Sequence, residues 1–206
     1  MLLKMLAFEL RYFVRQPSFY VCSLLFFLLS FMATVSDNVQ IGGANVNANS
    51  PYTILMVTSV MLIFALFAVV NFVASSTIRN DSERMAELIY SKPIAQKSYH
   101  AGRFFGAFLV TLTVFAFVPL GIFLGTWFGS LVGWLDPELL APNKFAFYAQ
   151  PFLIMAVPTL FVMAVSCHVA ALRFRTMMAV YIAAVVLFIG YNVVSVFFEQ
   201  PEFRLW

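Results

Sequence analysis

The chain alternates long apolar runs with short polar ones. Five runs, at residues 18–35, 53–74, 104–128, 151–172 and 176–198, contain no Asp, Glu, Lys or Arg. A hydrocarbon layer about 30 Å thick takes roughly 20 helical residues per crossing, so each run predicts a transmembrane helix. Residues 1–16, MLLKMLAFELRYFVRQ, follow a different pattern. At 100° per residue Lys4, Arg11 and Arg15 fall within about 40° of one another, a basic stripe on an otherwise apolar helix. Such a helix lies in the headgroup layer as an elbow, with Pro17 permitting the turn into the membrane. A charged start before an apolar stretch is also the form of a secretion signal, but no clean A-x-A site follows. The expected fold is all-α: one polytopic membrane helix bundle over residues 1–206, with an N-terminal interfacial amphipathic helix plus five transmembrane helices.

Composition agrees with the pattern. Of 206 residues, 63% are hydrophobic and 10% charged, against roughly 45–50% and about 25% in soluble domains. This excludes a soluble enzyme, and the length leaves no room for a separate catalytic domain. A net charge of +3 is too small and scattered to suggest nucleic acid as a partner. Cys22 and Cys167 lie inside apolar runs, where a thiol behaves as a small hydrophobe rather than as part of a disulfide framework.

Charge position sets the orientation. Lys4, Arg11, Arg15, Arg79, Arg84, Lys92, Lys97, Arg103, Arg173 and Arg175 share one side, with only Lys144 and Arg204 on the other. The positive-inside rule then makes the elbow, residues 75–103 and the RFR turn cytoplasmic. The expected location is the cell inner (plasma) membrane, multi-pass, with the N-terminus cytoplasmic and the C-terminal end of this chain outside. The absence of an ionisable residue from all five runs argues against an ion-coupled carrier acting alone.

The densest polar segment holds NDSERMAELIYSKP, residues 80–93. Asn80 fits an N-cap with Glu83 completing a capping box, and Pro93 ends the segment. A helix of about 11 residues is marginal in water and needs a docking partner. The plainer alternative is a solvated loop helix on the membrane surface. Elsewhere, adjacent Cys167 and His168 tempt a metal reading, but neighbouring helical residues point about 100° apart and no second ligand pair accompanies them. Asn71 and Asn192 lie within apolar runs, where they either bond between helices or line a pathway. Pro119 and Pro158 are expected to kink their helices.

An elbow with ELRYFVRQP, a long crossing, then SERMAELIYSKPIAQKSYHAGRFFGAFLV leading into another crossing resembles permeases of the ABC-2 type ATP-binding cassette family. The resemblance rests on Glu83, Glu87, Leu88, Ser91, Pro93, Tyr99, Gly102 and Arg103. It implies a membrane-spanning exporter subunit, not itself an enzyme. No G-x-x-x-x-G-K-[ST] occurs, so this chain is not expected to cradle nucleotide phosphates; no cofactor is expected on it, and ATP would sit on a partner ATPase subunit. By resemblance, Glu83, Arg84, Glu87 and Leu88 form the coupling helix that meets that ATPase. Lys4, Arg11 and Arg15 anchor the elbow to the bilayer, and Asn71 and Asn192 are pathway candidates. A second permease half, identical, different or fused, completes the transporter. Family members commonly have six crossings, so the expectation includes a chain that is the N-terminal fragment of a longer permease. The competing expectation is a non-transporting membrane anchor or scaffold that recruits a soluble partner through the same acidic helix.

Overall fold

The computed structural model describes residues 2–35, 47, 49–82, 96–135 and 142–199, and every regular element among them is helical. Helix α1 (Leu2–Val14) turns at Arg15 and Gln16 into α2 (Pro17–Val35). Helix α3 (Pro51–Val69) continues through a π-helical turn, Val70–Ala74, into α4 (Ser75–Ser82). Helices α5 (Gln96–Phe115) and α6 (Phe117–Val132) meet at Ala116. Helix α7 (Phe145–Pro151) joins α8 (Val157–Phe174) through a second π-turn, Phe152–Ala156, and α9 is Met177–Glu199.

Four continuous helical stretches, Pro17–Val35, Pro51–Arg79, Lys97–Val132 and Phe145–Phe174, are long and apolar enough to cross a membrane. This is the architecture of a membrane protein. A further apolar helix covers Met177–Gly190. The irregularities have local causes. Pro119 cannot donate to the carbonyl of Phe115, and its ring crowds that turn, so the Lys97–Val132 stretch breaks at Ala116. The π-turn at 152–156 sits between Pro151 and Pro158. Helix α3 begins where Ser50 caps it, accepting from the Thr53 backbone N–H at 3.2 Å, with Pro51 in the first turn. Helix α8 ends at Arg175, whose φ of 54° lies in the left-handed region.

One expectation is corrected here. The capping pattern places a helix start at Asn80, whereas the preceding helix runs on through Asn80 and Asp81 to Ser82. No Pro or Gly lies between residues 70 and 82 to stop it. The Ser75 and Thr77 hydroxyls donate back to the carbonyls of Asn71 and Val73, so neither residue offers the backbone a competing turn. Helix also covers residues 96–103, ahead of the apolar run at 104–128. The apolar runs at 53–74 and 104–128 are thus the middles of longer helices whose charged ends also pack.

The core is not shared equally. About 56% of the Pro51–Arg79 window and 50% of the Lys97–Val132 window are buried, against 28% for Pro17–Val35 and 22% for Phe145–Phe174. The second and third long helices form the centre, and the first and fourth present Leu24, Leu28, Met32, Val162 and Val169 outward, which lipid tolerates and water would not. Helix α2 lies along α6, and α1 along α5. Several hydroxyls in these spans bond within their own helices: Ser30 donates to the Phe26 carbonyl at 2.8 Å, Thr34 to Ser30 at 2.8 Å and Thr58 to Ile54 at 2.7 Å.

Polar contacts between elements gather at the two ends of the Pro51–Arg79 helix, which at 1.5 Å per residue lie about 40 Å apart. At its start the Asn49 amide donates to Asn143 Oδ1 at 2.9 Å, and Tyr148 donates to the same oxygen at 2.8 Å. At its finish lies a cluster of ions.

Candidate functional site

Glu9 precedes every other acidic residue of the chain. On a helical wheel it stands roughly 140° from the Lys4–Arg11–Arg15 stripe. The two faces of α1 separate accordingly. Lys4, Arg11 and Arg15 are exposed, with Leu3 and Phe8 also outward, a mixed basic and apolar surface. Glu9 and Phe13 are turned inward and fully covered.

Glu9 Oε1 accepts a hydrogen bond from Arg79 Nη2 of α4 at 2.5 Å. Arg103 of α5 brings its Nε to 3.2 Å from the same oxygen, an ion pair without hydrogen-bond alignment. The carboxylate is 0% exposed and Arg103 only 2%. The Tyr99 hydroxyl accepts from Arg103 Nη1 at 3.0 Å, and the Arg79 guanidinium lies over the Tyr12 ring at 4.1 Å. Phe13 packs edge-on against Phe72 of the π-turn at 5.4 Å between ring centres. Gly106 makes this approach possible, since a Cβ there would come within 2.7 Å of Glu9 Cβ.

The joint extends to a fourth helix. The Thr77 hydroxyl and His168 Nδ1 of α8 are hydrogen-bonded at 2.8 Å, and the His168 ring rests on Phe104 at 5.0 Å. Beside the ions, a cavity of about 230 Å³ is lined by Gln16, Asn71, Ser75 and Arg79, among others. Among the described residues, Glu9 Oε2 and Arg103 Nη2 have no hydrogen-bond partner. Charges taken out of water repay their desolvation only with good geometry, and removing one partner of such a pair typically costs about 3–5 kcal/mol. The cluster therefore binds three helices together with an incomplete set of bonds. Its physical capability is to hold helix positions.

The residues singled out from sequence fall differently. Lys4 and Arg11 share the exposed face of α1, and Arg15 is exposed in the turn that follows it. Glu83, Arg84, Glu87 and Leu88 lie outside the described residues. Asn71 is in the π-turn and lines the cavity, whereas Asn192 is exposed and donates to the Phe188 carbonyl of its own helix at 2.8 Å. His168 meets a side chain, Thr77, rather than a backbone group. Among the described residues no group of three His, Cys, Asp or Glu side chains is placed to hold a metal ion. Glu9, Arg79 and Arg103 went unrecognised as a unit. A sequence signal existed for Glu9: a lone acid opposite a basic stripe on a short helix. None existed for its partners.

The fold and this joint define the class, an all-helical membrane bundle whose first helix is tied by ions to its second and third long helices. No family model, curated protein or solved structure matches the chain.

Proposed function

We propose that this chain is the membrane-spanning permease subunit of an ATP-driven exporter of the ABC-2 type, coupled through the acidic segment at residues 80–93 to a separate ATPase. One observation carries the reading: Glu9 of α1 joins Arg79 and Arg103, on the helices that enter and leave that segment. A coupling segment is useful only if its push reaches the bundle, and here both flanking helices are bound to one short interfacial helix. In this reading α9, 23 residues long and so about 35 Å, is the fifth crossing. The elbow and residues 75–103 face the cytoplasm, and Lys4, Arg11 and Arg15 contact lipid headgroups. Glu83, Arg84, Glu87 and Leu88 enter a groove on the ATPase, ATP stays on that subunit, and a second permease half completes the pathway. Asn71, beside the cavity, is the stronger pathway candidate of the two asparagines.

The test is co-purification of the full chain with candidate ATP-binding cassette subunits, followed by ATP hydrolysis in proteoliposomes. Glu83→Ala with Glu87→Ala is expected to abolish association and the permease-dependent part of hydrolysis. Unchanged association and hydrolysis in that variant would refute the coupling assignment. Capture of a soluble protein that is not an ATPase, dependent on the same two glutamates, would favour the scaffold reading instead.

A further inference from the structure

Replacing a buried ion cluster by apolar side chains of similar volume is often neutral or stabilising, so its presence calls for a role other than stability, and the best attested is setting position. This cluster is also asymmetric. One oxygen of one carboxylate meets two guanidiniums, hydrogen-bonded to Arg79 at 2.5 Å and only ion-paired to Arg103 at 3.2 Å. Meanwhile Glu9 Oε2 and Arg103 Nη2 lack hydrogen bonds among the described residues. Both atoms are buried, and an unsatisfied buried group is costly enough to need an explanation. Gly106 removes the one side chain that would hold α1 off α5. The helices bearing the two arginines, α4 and α5, flank residues 83–95.

We propose that Glu9 is a positioning residue with two resting places, bonded to Arg79 in the arrangement seen here and to Arg103 in a second, so that relative displacement of α4 and α5 shifts α1. The exchange needs no new partner, because Arg103 Nε already stands at ion-pair distance and its Nη2 is available. Helix shifts of about 1–2 Å are the usual scale of such transitions. The coupling role of the device rests on the transport-subunit reading; its two positions do not.

The experiment measures spin-label distances in the full chain in lipid nanodiscs, with Cys22→Ala and Cys167→Ala as background. Labels go on Ala7→Cys in the exposed face of α1 and Val169→Cys in the exposed face of α8. Arg79→Gln and Arg103→Gln each leave one carboxylate facing one guanidinium, so both are expected to fold. Arg79→Gln should shift the mean distance, because Glu9 is released to Arg103, whereas Arg103→Gln should leave it at the value of the unmodified protein, because Glu9 already rests on Arg79. No shift in Arg79→Gln, or an equal shift in both variants, would overturn the proposal, since a purely structural cluster has no reason to respond to one arginine alone. Because no ATPase is present, failure here leaves the transport reading standing, while failure of the co-purification leaves the two-position lock standing.

Discussion

Two long-range helix contacts in this bundle are built on opposite principles. Along α2 and α6 the contact is dry and uncharged: Gly121 and Gly125 face Ser30 and Thr34, whose hydroxyls are already spent on their own helix. A Cβ at Gly121 would lie 2.0 Å from Ser30 Oγ and 2.6 Å from the Phe27 carbonyl oxygen. Between α1 and the α4–α5 pair, the contact is a carboxylate and two guanidiniums. The first depends on shape, because lipid tails are as apolar as Leu and close backbone approach is what favours helix association there. The second depends on charge, at the end of the second long helix. A shape-based contact has one good arrangement. A charge-based contact with more donors than bonds has room for two.

The contrast can be broken from either side. Glu9→Ala should have the largest effect, about 3–5 kcal/mol, because it leaves the buried Arg103 and the partly buried Arg79 without their carboxylate; thermal denaturation in detergent reads it. Replacing the whole cluster, Glu9→Leu with Arg79→Leu and Arg103→Met, should recover most of that loss. If it does not, the cluster is a stability element after all. Next comes Gly121→Ala, expected to destabilise by about 1–3 kcal/mol through overpacking against Ser30 and the α2 backbone, with no effect on the α1 spin-label distance. Thr77→Val should cost about 1 kcal/mol, since it removes the partner of His168 Nδ1. Gly190→Ala is the control: nothing lies within 4 Å of its added Cβ, so a gain of about 0.5–1 kcal/mol from helix propensity is expected. A loss there instead would place a neighbour against that face of α9.

Much of the fold could be read from the chain because hydropathy acts locally. Apolar runs long enough to cross a bilayer must be helical, since lipid offers backbone groups no other partner. The four long helices follow from that rule, and the break at Ala116 follows from Pro119. Helix ends were less legible. Asn80 looks like a cap, yet a helix already under way passes through it. The residues at 83–95 that carry the resemblance lie outside the described structure, so their contacts are a matter for the co-purification.

The sequence by itself determined the solvent of this protein, the approximate helices and the two-faced character of α1, because each depends on residue types within one or two turns. Only the tertiary structure decided what Glu9 does. Its partners stand about 70 and 94 positions away in the chain, and one basic residue in a polar segment resembles another until the helices pack. In the sequence Arg79 reads as one more loop cation and Arg103 as the basic start of the third crossing. Burial against α1 makes them the two hands on one carboxylate.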